Sequence, residues 1–317
     1  MVKCGYTSAR TQRWKCHQCL KVSCRKRQDT SKNNTSRLMR NWLLGTNTLA
    51  EISKKISITR RALTKRFSKI KKLLRVALKK LGKEIILILD GTLISKDRVL
   101  LIVYDFISKQ PLAWAFTNRE CFHSWVKLLS RVQAKHRVAA LVSDGQKGLI
   151  KALQMLFPGI PHQRCIAHIV RRSLAWLTRK PKTEAGLELR LLILKLKNVQ
   201  SKELVLLWKQ YFKLWDEKHR EFLKEKSLNP LTQKSWFTHR RVRAIRSLIK
   251  HALPSMFWYI TNPNIPNTTN SVEGGINSQL SELLRRHRGI TRKQKEALAT
   301  CFLYSKRKAI LSTRKFS

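Results

Sequence analysis

The chain has 317 residues, of which 43% are hydrophobic and 27% charged, a composition that excludes an intrinsically disordered protein. Its 67 Lys and Arg against 18 Asp and Glu give a formal net charge of +49, so nucleic acid is the first partner to expect and acidic membrane the second. No apolar stretch approaches the roughly 20 residues that span a bilayer, and the N-terminus lacks a secretory h-region, which predicts a cytoplasmic, nucleoid-associated protein.

The polar, basic segment 1–30 carries a C-x-x-C pair, Cys16 and Cys19, in the stretch RTQRWKCHQC. Cys4 and Cys24 lie nearby, at spacings that suit a four-ligand zinc site poorly. Two possibilities stay open: the site is degenerate, or the sequence begins late in a longer reading frame. The total of seven cysteines is odd and argues against a disulfide framework.

Segment 31–83 has helical periodicity. The stretch RLMRNWLLG predicts a first helix with Leu38 and Trp42 on one face, and Gly82 would end the last helix. Between them, two helices joined by a turn near 56–59 predict a helix-turn-helix-like DNA-binding region. The side chains predicted to reach DNA from its second helix are Arg60, Arg61, Lys65 and Arg66. The alternative is an ordinary helical hairpin with solvated basic residues.

From Glu84 the pattern changes to strands: EIILILD, RVLLIVYDF and PLAWAF, with turns at Gly91 and at 108–111. A helix, the strand RVAALVSD, a second helix and the short strand in IPHQRC follow. Three strands joined by hairpins and then alternating helices and strands predict a mixed α/β sheet.

From residue 174 to the turn-rich stretch NPNIPNTTN, amphipathic helices replace strands. Trp208, Trp215 and Trp236 are predicted to lie in the core of this helical block. One more helix is predicted to begin near Ser271, and a basic helix and tail close the chain.

Two apolar strands each lead to an aspartate followed by glycine: LILDGT gives Asp90 and LVSDGQ gives Asp144. If the strands are neighbours, both carboxylates lie at one edge of the sheet, a common place for active sites. Such a pair repels itself unless a cation lies between. Glu273, beside two glycines, would complete a magnesium site. Each acid also has an ordinary structural role available, since DG is a common turn pair and Asn270 with Glu273 resembles a capping box.

The order of LILDGT, LVSDGQKGLIKAL, HQRCIAHIVRR and TTNSVEGGINSQL resembles the DDE transposases of bacterial insertion sequences in the Mutator-like superfamily, over residues 84 to 310. The resemblance implies an RNase H-like catalytic core in which Asp90, Asp144 and Glu273 are the catalytic, metal-binding triad. The expected divisions are a partial zinc-ribbon-like segment at 1–30, the helix-turn-helix-like region at 31–83, the first part of the core at 84–173, an all-helical insertion at 174–265, and the final core helix with a basic tail at 266–317.

Cys165 and His168 match the C-x-x-H motif of that family. They lack a second ligand pair nearby, so a structural role beside the triad is favoured over zinc binding or contact with the scissile phosphate. Beyond Glu273, basic residues are predicted to contact DNA phosphates: Arg285, Arg286, Arg288 and Lys293.

The predicted activity is cleavage of the ends of a DNA element and joining of the freed 3′-hydroxyls to target DNA, with two Mg²⁺ (or Mn²⁺) ions held by the triad. The partners are double-stranded DNA and, from the resemblance, a second copy of the chain. A degenerate copy that only binds DNA, for example as a repressor, is the main alternative. A nuclease that only hydrolyses DNA is another, and a tyrosine recombinase is disfavoured because no covalent intermediate is needed.

Overall fold

The computed structural model describes residues 1–8, 10–24, 38, 42, 47–73, 84–287 and 290–307, with backbone alone at 68–73. These described residues divide into two compact units, one within the bounds 1–77 and 285–305, the other within 78–284 and 306–317. Of the first predicted helix, Leu38 and Trp42 are described and are helical. Its other residues, and the predicted helix end at Gly82, lie outside the described part.

The first unit begins with a three-stranded antiparallel sheet of β1 (Val2–Tyr6), β2 (Gln12–Lys15) and β3 (Val22–Cys24). Helices α1 (Leu49–Lys55) and α2 (Arg60–Leu73) follow, joined by the predicted turn at 56–59. Thr48 begins α1 with a capping box, since its hydroxyl accepts from the backbone N–H of Glu51 and the Glu51 carboxylate accepts from the Thr48 N–H. Leu63 and Phe67 of α2 are buried, and Phe67 stacks on Trp42.

The second unit is built on a mixed five-stranded sheet, as predicted. Its strands are β4 (Ile85–Ser95), β5 (Arg98–Asp105), β6 (Gln110–Thr117), β7 (Val138–Ser143) and β8 (His162–Arg164), in the spatial order β6-β5-β4-β7-β8. The first three are antiparallel neighbours, whereas β7 is parallel to both β4 and β8. Because β4 is central, its residues from Ile85 to Asp90 are buried on both faces of the sheet.

Helices α3 (Phe122–Gln133) and α4 (Lys147–Leu156) cover one face of this sheet. Leu87 and Leu89 of β4 pack there with Trp125 and Leu128 of α3 and Leu149 of α4. The apolar side chains recur at helical spacing on α3 and α4 and at alternate positions on β4, so one continuous core forms between the two layers.

The prediction of a turn at Gly91 is wrong. Strand β4 continues through Gly91 and pairs with β5 as far as Ser95, opposite Arg98. The reversal of direction falls instead at Lys96 and Asp97. Gly91 is therefore a strand residue, and the reason for a glycine there lies in its neighbours at the candidate site.

The helical block has a core of its own, in which Trp208 and Trp215 are buried as predicted. It contains α5 (Ile166–Leu177), α6 (Glu184–Lys195), α7 (Lys202–Lys218), α8 (Arg240–Ala252) and the short α9 (Trp258–Thr261), with 3₁₀ turns at Leu196–Asn198, Phe222–Lys224 and Leu253–Ser255. The Gln163 side chain of β8 ties the block to the sheet by donating to the Met256 carbonyl oxygen.

The block is not all-helical, contrary to the prediction. Strands β9 (Lys226–Leu228) and β10 (Ser235–Phe237) form a small antiparallel hairpin between α7 and α8. Its turn is closed by Asn229, whose side-chain oxygen accepts from the backbone N–H groups of Leu231 and Thr232. Trp236 therefore lies on a strand and is 37% exposed instead of filling a helical core.

The last described helices are α10 (Asn270–Val272), a π-helical segment (Glu273–Asn277), α11 (Ser278–Arg286) and α12 (Arg292–Ser305). Within the described residues, no helix is both long and apolar enough to cross a membrane.

Candidate active site at the strand edge

Asp90 lies on β4, and Asp144 directly follows the end of its parallel neighbour β7. The register pairs Leu89 of β4 with Ser143 of β7, so the residue after each of them is an aspartate. Asp90 is 6% exposed, and its Oδ1 atom accepts a hydrogen bond from the Gly91 backbone N–H. The structure therefore brings together the two aspartates that the sequence placed at one edge of the sheet.

A charged side chain packs against the glycine that follows each aspartate. A Cβ atom on Gly91 would lie 2.6 Å from Oε2 of Glu120. A Cβ atom on Gly145 would lie 1.8 Å from Cζ of Arg164, and Gly145 also has a φ of +87°, which disfavours other residues. The two D-G pairs thus leave room for an acid and a base at the edge of the sheet.

Glu273 reaches the site from the π-helical segment, a distortion of the helix often found at functional sites. Its Oε1 atom accepts from the Thr269 hydroxyl at 2.7 Å and lies 3.2 Å from Nδ1 of His168. Its Oε2 atom accepts from Nη1 of Arg171 at 2.9 Å. The capping-box alternative is wrong, because no side chain caps the start of this helix.

Asn277, one helical turn after Glu273, connects that helix to the strand edge. Its side-chain N–H donates to Oδ2 of Asp90 at 2.6 Å. The helix that carries the third acid is thereby held against the first. Sequence reasoning missed Asn277, although its spacing of four residues from Glu273 places both side chains on one face of a helix.

Glu120, between β6 and α3, is a fourth carboxylate that sequence reasoning missed. Its Oε1 atom accepts from the indole N–H of Trp125 at 3.0 Å. Burial and the nearby charge of Asp144 raise the pKa of Glu120, although the bond from Trp125 opposes the shift. The available signal was the scarcity of acids: four of the 18 in the chain meet here.

The pKa of Asp90 is raised to about 7, with burial as the largest cause. The carboxylates of Asp144, Glu273 and Glu120 add to this effect. The pKa of Glu273, in contrast, is lowered: burial would raise it, but the Thr269 hydroxyl and the cationic groups around it prevail. Burial and the neighbouring carboxylates both disfavour the charged form of Asp90, a condition that binding of a cation would relieve.

The carboxylates of Asp90, Asp144 and Glu273 do not all lie within 4.8 Å of one another. Among the described residues, the group of three possible ligand atoms at that spacing consists of Cys165, His168 and Glu273. Glu273 is bonded instead to the basic groups beside it, His168 and Arg171.

Cys165 and His168 join the β8–α5 turn to the helix that carries Glu273. The buried thiol of Cys165 accepts from the backbone N–H and the hydroxyl of Thr269. Burial alone would lower the pKa of His168, but its hydrogen bond with Cys165 and the nearby Glu273 carboxylate raise it to about 9. These contacts support the predicted structural role of the pair, because Thr269 orients Glu273.

The residues predicted to contact DNA are exposed or half-buried, where they are described. On α2, Arg60, Arg61 and Lys65 are exposed and Arg66 is half-buried. On α11 and α12, Arg285 and Lys293 are exposed and Arg286 is half-buried. Arg288 lies outside the described residues.

The N-terminal cysteine pair lies at the turn between β2 and β3. Backbone N–H groups of Cys19 and Gln18 bond the Cys16 sulfur and lower its pKa. Among the described residues, Cys16 and Cys19 do not share a third candidate ligand at metal-binding distance, and all four N-terminal cysteines are free thiols.

Residues 107–227 match the family model described as Transposase, Mutator family. The matched part begins after β5, includes Asp144, Cys165 and His168, and ends in β9; Asp90 and Glu273 lie outside it. The match confirms the resemblance to Mutator-like transposases that the motifs predicted. No curated protein matches the chain.

Proposed function

We propose that this chain, similar through residues 107–227 to the Mutator family of transposases, is a metal-dependent DNA transposase of the DDE type. The observation that carries the proposal is the meeting of Asp90, Asp144 and the Glu273 helix at one edge of the sheet. Three acids from three distant parts of the chain converge there, in a protein with few acids to place.

The sheet supports an RNase H-like core. Three antiparallel strands lead into two parallel strands in the order β6-β5-β4-β7-β8. The first acid, Asp90, lies on the central strand β4, and the second, Asp144, directly follows its parallel neighbour β7. The third acid comes from a helix after a long, mainly helical insertion. This is the arrangement that the resemblance implies for DDE transposases.

The residues present fit Mg²⁺ or Mn²⁺. Both are hard cations that prefer carboxylate oxygens, and the strand edge offers the oxygens of Asp90, Asp144, Glu273 and Glu120. Two such ions, when bound, would supply an activated oxygen nucleophile and neutralise the leaving oxygen of a phosphodiester.

The protein residues have separable tasks in this mechanism. Asn277 fixes Asp90, and Thr269 orients Glu273, so the acids are aimed before DNA binds. The exposed glycines Gly274 and Gly275, with no atom within 4 Å of where a Cβ would stand, let the DNA backbone approach Glu273 closely. No side chain has to form a covalent bond with DNA.

DNA is held by positive charge. In this proposal α2 enters the major groove through Arg60, Arg61 and Lys65, and phosphates pair with Arg285, Arg286, Arg288 and Lys293. Each phosphate neutralised would add about 0.9 to the slope of log affinity against log salt concentration. Zinc at Cys16 and Cys19, and assembly of two copies on DNA, belong to the same proposal.

The proposal is tested by cleavage of DNA that carries the gene's native flanking sequence, with purified protein and Mg²⁺. The wild-type chain should cut at defined positions, and Asp144→Asn should bind the same DNA while cutting at least about a thousandfold more slowly, a loss of about 4 kcal/mol of transition-state stabilisation. Equal loss of binding and cleavage in Asp144→Asn would contradict the proposal. Binding without cleavage by the wild-type chain would indicate a degenerate copy that acts as a DNA-binding protein.

A further inference from the structure

Helices α6 and α7 carry a stripe of large apolar side chains on their outer side. The seven residues of this leucine face are Leu187, Leu191 and Leu194 on α6, and Leu204, Leu207, Tyr211 and Leu214 on α7. Each is between 40% and 60% exposed. Their spacing of three, four and seven residues aligns them along one side of each helix.

Both stripes lie on the same side of the helix pair. Lys218 follows Tyr211 and Leu214 by seven and four residues, so it lies in line with the α7 stripe. Its ammonium group bonds Glu184 and Glu188 of α6. Glu184 precedes Leu187 by three residues, and Glu188 precedes Leu191 by three, so both acids lie beside the α6 stripe. The two stripes are therefore adjacent and form one surface.

The leucine face is separate from the core of the helical block. The core is built from other positions on the same helices, including Leu189 and Ile193 of α6 and Trp208 and Phe212 of α7. The exposed leucines are not needed to join the helices of this block. An apolar surface of this extent is uncommon on a monomer and marks a contact with a partner.

Charge identifies the kind of partner. Segment 184–225, which contains the whole leucine face, has seven acidic and nine basic residues. The rest of the chain has 11 acidic and 58 basic residues. DNA or an acidic membrane would therefore bind almost any other part of the chain more strongly. A second copy, repelled by like charge elsewhere, meets the least repulsion here.

We infer that the leucine face binds the leucine face of a second copy of this chain about a twofold axis. Two antiparallel helices from each copy would then pack as a four-helix arrangement, with the stripes as its core and the mixed charges of Glu184, Glu188, Lys213 and Glu217 around it. The inference rests on the proposed function for its purpose, since joining two DNA ends needs two copies. Its test involves no cleavage.

The test is sedimentation equilibrium of the purified full-length chain without DNA, in ~0.5 M NaCl, where screening limits self-repulsion to within about 5 Å. The wild-type chain should form dimers. Leu191→Glu and Leu207→Glu should each weaken association by at least about tenfold, because each places a carboxylate in an apolar contact. The matched control is Leu231→Glu, at the exposed turn of the β9–β10 hairpin, which should associate like the wild type.

Charge exchange shows whether the leucine faces of two copies contact each other. One double variant carries Leu191→Glu and Leu207→Glu, and the other carries Leu191→Lys and Leu207→Lys. When the two variants are mixed, they should associate with each other more tightly than either associates with itself. A monomeric wild-type chain at about 50 µM, where a dimer with Kd of 1 µM would be largely formed, would overturn the inference. The inference would also be overturned if Leu191→Glu and Leu207→Glu both formed dimers as tightly as the wild type. Asp144→Asn should still dimerise, so loss of catalysis and loss of association are distinguished.

Discussion

Three acids at the strand edge, Asp90, Asp144 and Glu120, differ in their surroundings from the acids of the helical block, whereas Glu273 is paired with Arg171 and His168. In the block, Asp216 accepts from Arg246 and lies 2.6 Å from Nζ of Lys250, and Glu188 pairs with Lys218 and His219. At the strand edge, by contrast, no described basic group lies within salt-bridge distance of Asp90, Asp144 or Glu120. Bases are abundant in this chain, so acids that form no described ion pair agree with the proposed metal site, where a bound cation would supply the positive charge.

The largest expected effect contrasts Asp90→Asn with Asp216→Asn. The first removes a ligand charge from the proposed metal site and should reduce DNA cleavage by at least about a thousandfold. The second breaks a structural ion pair and should leave the cleavage rate per folded molecule within about twofold, while lowering the free energy of unfolding by about 1–3 kcal/mol. The measurements are single-turnover cleavage and urea unfolding.

If folded Asp216→Asn protein also cleaved DNA about a thousandfold more slowly, the acids of the helical block would matter for cleavage as much as those of the strand edge, and the comparison would fail. Lys250→Gln is the matched control, because it weakens the same ion pair from the basic side without changing any acid. It should resemble Asp216→Asn in cleavage and cost less stability, since Arg246 remains bonded to Asp216.

The second effect is stabilisation by metal. Adding Mg²⁺ to metal-free protein at about 100 times its dissociation constant should stabilise the fold by about 2.7 kcal/mol. For a chain of this size that raises Tm by roughly 4 °C. Asp144→Asn should lose most of this gain, whereas Asp216→Asn should keep it. Equal gains in all three proteins would mean that Mg²⁺ acts elsewhere.

The pH dependence of stability should have opposite signs in the two regions. Asp90 has a folded-state pKa near 7, above its ordinary value of 3.8, so its contribution to metal-free stability is complete below pH 3.8 and is lost as pH rises toward 7. Asp216 has a lowered pKa, because the bonds from Arg246 and Lys250 outweigh burial. Its contribution is present above pH 3.8 and is lost as pH falls through its folded-state pKa.

Thermal unfolding of metal-free protein between pH 3 and pH 8 checks these signs. The stability difference between wild type and Asp216→Asn should shrink on acidification below pH 3.8. The difference between wild type and Asp90→Asn should change mainly between pH 4 and pH 7. If the stability difference between wild type and Asp90→Asn stayed constant from pH 4 to pH 7, the raised pKa of Asp90 would be contradicted.

The sheet could be predicted because its strands are encoded locally. Runs such as IILILD and RVLLIVYD are apolar on both faces, which only a buried strand requires, and the helices between them have clear periodicity. The two aspartates could be placed together because β4 and β7 are parallel neighbours, although β4 continues past Asp90 to Ser95. Glu273 needed the resemblance, since its sequence context equally suited a capping box.

The remaining features depend on tertiary contacts. Glu120 stands in a connection between β6 and α3, and its place against Gly91 follows from packing that no local pattern encodes. The β9–β10 hairpin was missed because its strands have three residues each, too few to show alternation. The turn expected at Gly91 was wrong because this D-G pair lies inside β4, where Gly91 pairs with Leu101 of β5.

The smallest expected effect belongs to Glu120→Gln. Glutamine keeps an acceptor for the Trp125 N–H but removes one negative charge beside Asp144, so the metal-free protein should be unchanged or slightly more stable. The same loss of charge should raise the Mg²⁺ concentration that gives half-maximal cleavage by about tenfold, equivalent to ~1.4 kcal/mol of metal binding, with little change in the rate at saturating Mg²⁺. Glu188→Gln, which removes an acid from the helical block, should leave the Mg²⁺ requirement as it is. If Glu120→Gln needed the same Mg²⁺ concentration as the wild type, Glu120 would take no part in metal binding, and its role would be to hold Trp125 in place.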